Sequence, residues 1–269
     1  MRAVVLGAGG RRLRSISAPA PSQAALPAFL KSLWSRWGLS RARVGALVAG
    51  SRGVWTRPEQ RRAERRLRSF ARTVRVISDA QAAYSGALGD RAGILILAGT
   101  GSIAIGRNKK GRWARAGGLG PLLGDEGSAF WIGRQWLRAT SRGEDFAPAR
   151  AVVSRPDAVA RIARLAPQVL KRCWKGHPAS RRIVAEAHGH LAELARALAR
   201  DLRLRKPVTV SWAGGLLGDA RFRSGLRRQL KRSGLSVRMV PPETSPVMAT
   251  ARMALALCQA DAVARRKSG

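Results

Sequence analysis

Asp79 stands where the apolar run "VRVIS" gives way to the helical pattern "AQAAYSGALG". A carboxylate at the carboxyl end of a strand, where α/β folds place ligands, could act as a general base toward a substrate hydroxyl. Asp is also a good helix N-cap, and the two roles can coexist. A second group is the turn Gly99, Thr100, Gly101 and Ser102 inside "ILILAGTGSIAIG". Its glycines allow a ligand close to the main chain, its hydroxyls can donate, and successive backbone N–H groups of such a turn can cup an anion. The chemistry this suggests is a grip on phosphate, although a plain hairpin turn has the same local sequence.

Further along, "GGLGPLLGDEGSAFWIG" encloses Asp125 and Glu126 between Gly124 and Gly127, in a chain with only 15 acidic residues. Acids near a helix start are favoured by the helix dipole, which is one reading. The other is a carboxylate that accepts hydrogen bonds from a polyol, with the Gly117-Gly118 backbone lining the same cavity. Gly214 and Gly215 in "SWAGGLL" follow a β-rich run and let the chain approach either a flat ligand or a packed helix.

Metal chemistry is not suggested. His177, His188 and His190 have no ligand spacing, the last two point in different directions on a helix, and all three read as surface histidines. Cys173 and Cys258 are isolated, which excludes a disulfide framework and a zinc knuckle.

The elements that must carry these residues follow from periodicity. "RAVVL" and "RLRSIS" read as strands around a glycine turn. Leu26, Phe29, Leu30, Leu33 and Trp37 share a helix face closed by Gly38, and "VGALVAGS" is a strand. Pro58 opens a helix with Ala63, Leu67 and Phe70 on one face, and "VRVIS" runs into a helix at Asp79. The order to residue 106 is β-β-α-β-α-β-α-β-β. "GRWARAGG" reads as loop, with helix after Gly127. The segment from Pro156 to about Arg205 is helical and puts Leu191, Leu194, Ala195, Leu198 and Leu202 on one face. "PVTVSWAGG", "FRSGLRRQLKRSG", "LSVRMVPP" and "SPVMATARMALALC" then give strand, helix, strand, helix. Two such blocks in 269 residues imply a two-domain α/β protein.

With 51 basic residues, only eight of them Lys, the net charge is +36. Such a field attracts polyanions, nucleic acid included, but the arginines are spread end to end with no recognised nucleic-acid module among them. No run approaches the ~20 apolar residues of a membrane span, and the chain reads as cytoplasmic with no membrane partner.

Taken in order, the strand-Asp79-helix junction, the "GTGS" hairpin, "GGLGPLLGDEGSAFWIG" and the late "AGG" resemble the N-acetylglucosamine kinase and BadF-type ATPase family, within the actin, hexokinase and heat-shock chaperone superfamily. The resemblance covers nearly the whole chain and is strongest from residue 74 to 137. It implies two ribonuclease-H-like domains, expected at 1–105 and 106–269, with the last helix packing back on the first. It further implies that Asp79 is the catalytic base, that Thr100, Gly101 and Ser102 form the second phosphate loop, and that Gly117, Gly118 and Asp125 contact the sugar. Gly214 and Gly215 would form the adenosine-binding turn. The implied reaction moves the ATP γ-phosphoryl group to an amino-sugar hydroxyl with Mg²⁺, whose protein ligands are not assigned; a homodimer is compatible with it.

Three positions depart from the family pattern. Members open with a strand ending in Asp-Gly-Gly-Gly-Thr, whereas "MRAVVLGAGG" looks like the second strand of that domain, so the first domain is expected to be truncated at its first strand, that strand either lying upstream of this sequence or being lost with its phosphate loop. A sugar-contacting Asn falls at Gln23, and Leu119 stands where Trp is common. The family's other branch energises iron-sulfur dehydratases and needs cluster cysteines, which Cys173 and Cys258 do not match. A nucleotide-binding protein with polyanion affinity and weakened catalysis is the remaining alternative.

Overall fold

The computed structural model describes residues 1–141 and 146–267, which fall into two compact units. The first comprises Met1–Gly89 with Glu243–Gly269, the second Asp90–Pro242.

In the first unit, β1 (Arg2–Leu6) pairs antiparallel with β2 (Arg12–Ser17). Helix α1 (Leu26–Trp37) buries Leu30, Leu33 and Trp34 and stops at Gly38, whose φ of 62° is the left-handed conformation a glycine adopts freely. Strand β3 (Ala46–Ser51), α2 (Arg57–Leu67), β4 (Thr73–Ser78) and α3 (Asp79–Leu88) follow, with β3 parallel to β4. Two capping boxes start the helices: Thr56 with Glu59 on α2, and Ser78 with Gln81 on α3. Leu30, Leu33, Trp34, Leu67, Phe70 and Val76 form the core, where the Trp34 indole N–H donates to the Phe70 carbonyl at 2.9 Å. The four strands make two separate two-stranded sheets.

In the second unit, β5 (Gly93–Ala98), β6 (Ser102–Arg107) and β7 (Trp113–Gly117) form an antiparallel meander. Helices α4 (Ala129–Thr140), α5 (Phe146–Val153), α6 (Ala158–Ala163), α7 (Ala166–Trp174) and α8 (Pro178–Asp201) intervene before β8 (Val208–Ala213). The short α9 (Gly215–Gly218), α10 (Ala220–Arg232) and β9 (Val237–Met239) complete it. The sheet runs β7-β6-β5-β8-β9, with β5 parallel to β8 and β8 parallel to β9. β5 is the central strand and its continuous apolar run is buried, as the run of a strand covered on both faces should be. Leu191, Ala195 and Leu198 of α8 pack into this core, with Leu194 partly buried against it.

The last helix, α11 (Pro246–Lys267), belongs to the first unit and packs on α3, β3 and β1, where Thr73 donates to Asp261 at 2.6 Å.

Several expectations need adjustment. The units divide at Gly89, not near 105, because β5 forms ladders with both β6 and β8 and so cannot be parted from the second sheet. "GRWARAGG", read as loop, contains β7; the glycines that suggested a loop sit at its end, where Ile103 pairs with Gly117. His188, read as a surface residue, is buried. Gly225 leaves room for its ring, which lies 4.4 Å from that of Phe222, and a Cβ at Gly225 would come within 2.2 Å of the ring. Pro246–Ala264 has a mean hydropathy of 1.3 and is long and apolar enough by composition to cross a membrane, a stretch that was expected to be absent.

Candidate active site

The second unit gathers most of the residues singled out from the sequence at the carboxyl ends of β5 and β8. The turn after β5 is held from both sides. The Gly99 N–H donates to the Gly101 carbonyl at 2.9 Å, while the Gly99 and Thr100 carbonyls accept from Ala129 and Phe130 at 2.8 and 3.2 Å. Those two donors belong to the first turn of α4, whose early N–H groups otherwise lack helical partners. Ser128 satisfies a third through its hydroxyl, which accepts from the Trp131 N–H at 3.1 Å. The hairpin turn and the helix start thus fix each other. Thr100, exposed on this turn, has no side-chain hydrogen bond among the described residues, so its hydroxyl is available to a ligand.

Asp125 joins the same turn. Its Oδ1 accepts from the Ser102 N–H at 3.1 Å, and its side chain lies against Gly101, where a Cβ would come within 2.8 Å of both carboxylate oxygens. Asp125 is 8% exposed and has φ of 64°, a region Asp tolerates better than most residues because its short polar side chain can bond locally. The Ser102 hydroxyl, read from sequence as a phosphate donor, donates instead to the Glu126 carbonyl at 2.7 Å. Ser102 therefore anchors the acidic loop through its amide and hydroxyl together. Gly118 completes this wall: its N–H donates to the Ser102 carbonyl at 3.0 Å. Gly117 and Gly118 have φ of 74° and 70°, and a Cβ on Gly118 would collide with Ile103 at 2.7 Å.

Gly214 and Gly215 lie beside the turn. Leu97 of β5 is level with Ala213 of β8, so the chain leaving β8 passes the hairpin directly. Gly214 has φ of 96°, and a Cβ there would lie 2.3 Å from the Ala98 carbonyl oxygen. Gly215 has nothing within 4 Å of its would-be Cβ, which leaves that side open. Thr100, Gly101, Ser102, Gly117, Gly118, Asp125, Gly214 and Gly215 are thereby brought into one neighbourhood.

Asp79 belongs to the first unit. It is the first residue of α3 and is not its N-cap: Ser78 accepts from the Gln81 N–H at 2.9 Å and the Gln81 side chain accepts from the Ser78 N–H at 3.0 Å. The Asp79 carboxylate is exposed and its Oδ1 accepts from the adjacent Ala80 N–H at 2.9 Å. The helix start is satisfied without it. Gly50 of β3 makes the strand-helix junction close, since a Cβ there would meet Ala82 at 2.9 Å. Gln23, on the approach to α1, donates its amide to the Arg52 carbonyl. Leu119, Leu122 and Leu123 are exposed in the loop that leads to Asp125, Leu122 to 93%.

Sequence reading missed Ser78, Ser128 and the Glu126 carbonyl. The first two carry a signal: Ser three residues before Gln81 is a capping box, and Ser before a helical run is a favoured cap. A backbone carbonyl carries none.

Known proteins resemble this chain in sequence and in fold. The chain is 31% identical over 209 residues to the N-acetylmuramic acid/N-acetylglucosamine kinase of Clostridium acetobutylicum, spanning 69% of this chain and 68% of that protein. It is 46% identical to the N-acetyl-D-glucosamine kinase of Dictyostelium discoideum over 61 residues, 19% of that protein. The fold matches a Chromobacterium violaceum structure provisionally named an N-acetylglucosamine kinase (TM-score 0.66, 24% identity, 96% and 98% of the two chains). It also matches a Streptomyces griseus ROK family glucokinase in complex with glucose and AMPPNP (TM-score 0.57, 17% identity, 94% and 98%). The BadF/BadG/BcrA/BcrD ATPase family matches residues 8–249, and the chain belongs to that family.

Proposed function

We propose that the chain is an ATP-dependent kinase that phosphorylates a hydroxyl of an amino sugar of the N-acetylglucosamine or N-acetylmuramic acid type. The observation that carries this reading is the seating of the Asp125 carboxylate on the hairpin turn, with the open Gly214-Gly215 turn on the neighbouring strand end. A carboxylate for sugar hydroxyls, a hydroxyl-bearing turn for phosphate and an open turn for a flat base then lie together. The kinase names of the two relatives point the same way.

Each residue then has a task. Asp79 takes the proton of the attacking hydroxyl as that oxygen bonds to the γ-phosphorus and the bond to the bridging oxygen of ADP breaks. Thr100 donates to a phosphate oxygen, and the backbone at Gly101 lets the phosphate come close. Asp125 orients the sugar by accepting its hydroxyls. Gly214 and Gly215 admit the adenosine. Mg²⁺ would spread the phosphate charge. No group of three His, Cys, Asp or Glu suited to a metal occurs among the described residues.

The test is ADP release by the purified chain with Mg-ATP, across N-acetylglucosamine, N-acetylmuramic acid, N-acetylmannosamine and glucose, with the phosphorylated product identified by phosphorus NMR. Turnover that depends on an amino sugar supports the reading. Tight binding of an ATP analogue with no sugar-dependent turnover overturns it. A second reading, affinity for nucleic acid, rests on Arg221, Arg227, Arg228 and Lys231, all exposed on α10. It requires duplex DNA binding that weakens steeply with salt and is lost on converting these four residues to Gln.

A further inference from the structure

Strands β3 and β4 run parallel and end level. Ser51, the last residue of β3, is the register partner of Ser78, the last of β4, and the next residues are Arg52 and Asp79. Partnered residues of neighbouring strands lie about 5 Å apart. An arginine and the proposed base therefore leave the pair side by side, at the carboxyl ends where α/β folds place ligands. Side-chain direction agrees. Gly50 faces the start of α3, since a Cβ on it would lie 2.9 Å from the Ala82 Cβ and 3.7 Å from the Asp79 Cα. Strand side chains alternate, so Arg52, one residue past β3, falls on the side of Gly50 and Asp79, not on that of Ser51.

The backbone of Arg52 is fixed while its side chain is free. Its carbonyl accepts from the Gln23 side-chain amide and, at 3.4 Å, from the Ser51 hydroxyl. Gly53 turns the chain with φ of 69°, and a Cβ there would come within 3.3 Å of the Gln23 Nε2, so the turn is seated on Gln23. Arg52 is exposed, and its guanidinium has no hydrogen bond or ion pair among the described residues. Other loop arginines of this unit are occupied: Arg41 donates to the Arg68 carbonyl, Arg43 to that of Gly38 and Arg72 to that of Ala42. Arg52 does not pair with Asp79 either, so the carboxylate keeps its charge and the guanidinium keeps its donors for a ligand.

Phosphoryl transfer makes a demand that Asp79 alone does not meet. As the hydroxyl oxygen bonds to the γ-phosphorus and the bond to the bridging oxygen of ADP breaks, negative charge spreads over the equatorial oxygens, close to a base that is itself an anion. A cation beside the base offsets that repulsion, and a planar guanidinium can hold two phosphoryl oxygens at once. We infer that Arg52 is a further catalytic residue, whose guanidinium donates bidentate hydrogen bonds to the equatorial phosphoryl oxygens while Asp79 takes the hydroxyl proton. Arg52 exchanges no proton and keeps its charge throughout. The inference rests on the kinase reading and adds to it a group that meets the transferring phosphoryl from the side of the base.

The test compares Arg52→Gln, Arg52→Lys and Arg65→Gln, the last at an exposed residue of α2, where it removes the same charge elsewhere. With an amino sugar that the parent turns over, Arg52→Gln should lower kcat by about 10³-fold, the scale of an arginine that stabilises a phosphoryl group in transfer. KM for the sugar should stay within ~2-fold. Arg52→Lys should recover part of the loss, because lysine restores the charge but not the two-pronged contact. Arg65→Gln should match the parent. Calorimetry separates this role from a structural one: Arg52→Gln should bind ADP with aluminium fluoride and sugar, a mimic of the phosphoryl group in transfer, at least ~100-fold more weakly, and a non-hydrolysable ATP analogue as the parent does. Unaltered kcat in Arg52→Gln, an equal fall in Arg65→Gln, or equal weakening of both ligands would overturn the inference and leave the kinase reading standing. A parent chain that turns over no sugar would overturn the kinase reading, and the inference with it, a result read on the parent alone.

Discussion

Gly101→Ala isolates the contact on which the proposed site depends. Gly101 does not have a positive φ, so alanine carries no backbone penalty there, and its effect reduces to the added methyl. That methyl would sit 2.8 Å from both oxygens of Asp125, where ordinary contact begins at 3.4 Å. The carboxylate must retreat by about 0.6 Å, which stretches the 3.1 Å bond from the Ser102 amide to about 3.7 Å, beyond hydrogen-bonding range. Ser102 is 3% exposed, so no water takes over. Leaving a buried donor unpaired costs about 1–3 kcal/mol, and a displaced carboxylate of this kind can lower turnover by ~10²-fold. The control is Asp125→Gly, which loses the same bond but relieves the positive φ. In the double variant the methyl has nothing left to strike, so urea unfolding should show a coupling of about 1–3 kcal/mol between the two sites. Additive losses would mean that Gly101 and Asp125 do not meet as described, and the reading of Asp125 as a ligand seated on the phosphate turn would fail with them.

Asp79→Asn should abolish phosphoryl transfer while changing ATP-analogue affinity little, and because Ser78 caps α3, unfolding should shift by less than ~0.5 kcal/mol; a comparable loss of stability would make Asp79 structural. Gly214→Ala should weaken analogue binding by at least ~10-fold in calorimetry, since a φ of 96° and a carbonyl 2.3 Å from the new Cβ oblige the turn to move; unchanged affinity would remove this turn from the site. His188 gives a pH signature. Burial drives its pKa down from 6.5 to about 4, partly offset by a backbone hydrogen bond at Phe222. The unfolded chain therefore binds the extra proton first, so stability is full above pH 6.5 and is lost as pH falls toward 4, by about 3 kcal/mol in all. Urea unfolding from pH 7.5 to 4.5 should show this decline, and His188→Leu should flatten it; an equal decline in both proteins would assign the acid sensitivity elsewhere.

What the sequence revealed and what it hid follow from the range of the interactions involved. The order of elements to residue 106 was legible because each element carries its own period and its own stop, such as Pro58 at the start of α2 and Gly38 after α1. Residues of the hairpin turn were legible as a group because they are adjacent in the chain. Their meeting with Asp125 was not, since it depends on β6 and β7 bringing Gly118 to Ser102 and on α4 starting at the turn. Ser102 shows the limit most clearly: its type suggested a phosphate donor, but the position of Glu126, 24 residues away, decides where its hydroxyl points. His188 was misread for a similar reason, because a histidine within a charged helix looks exposed until Gly225 of another helix makes room for it.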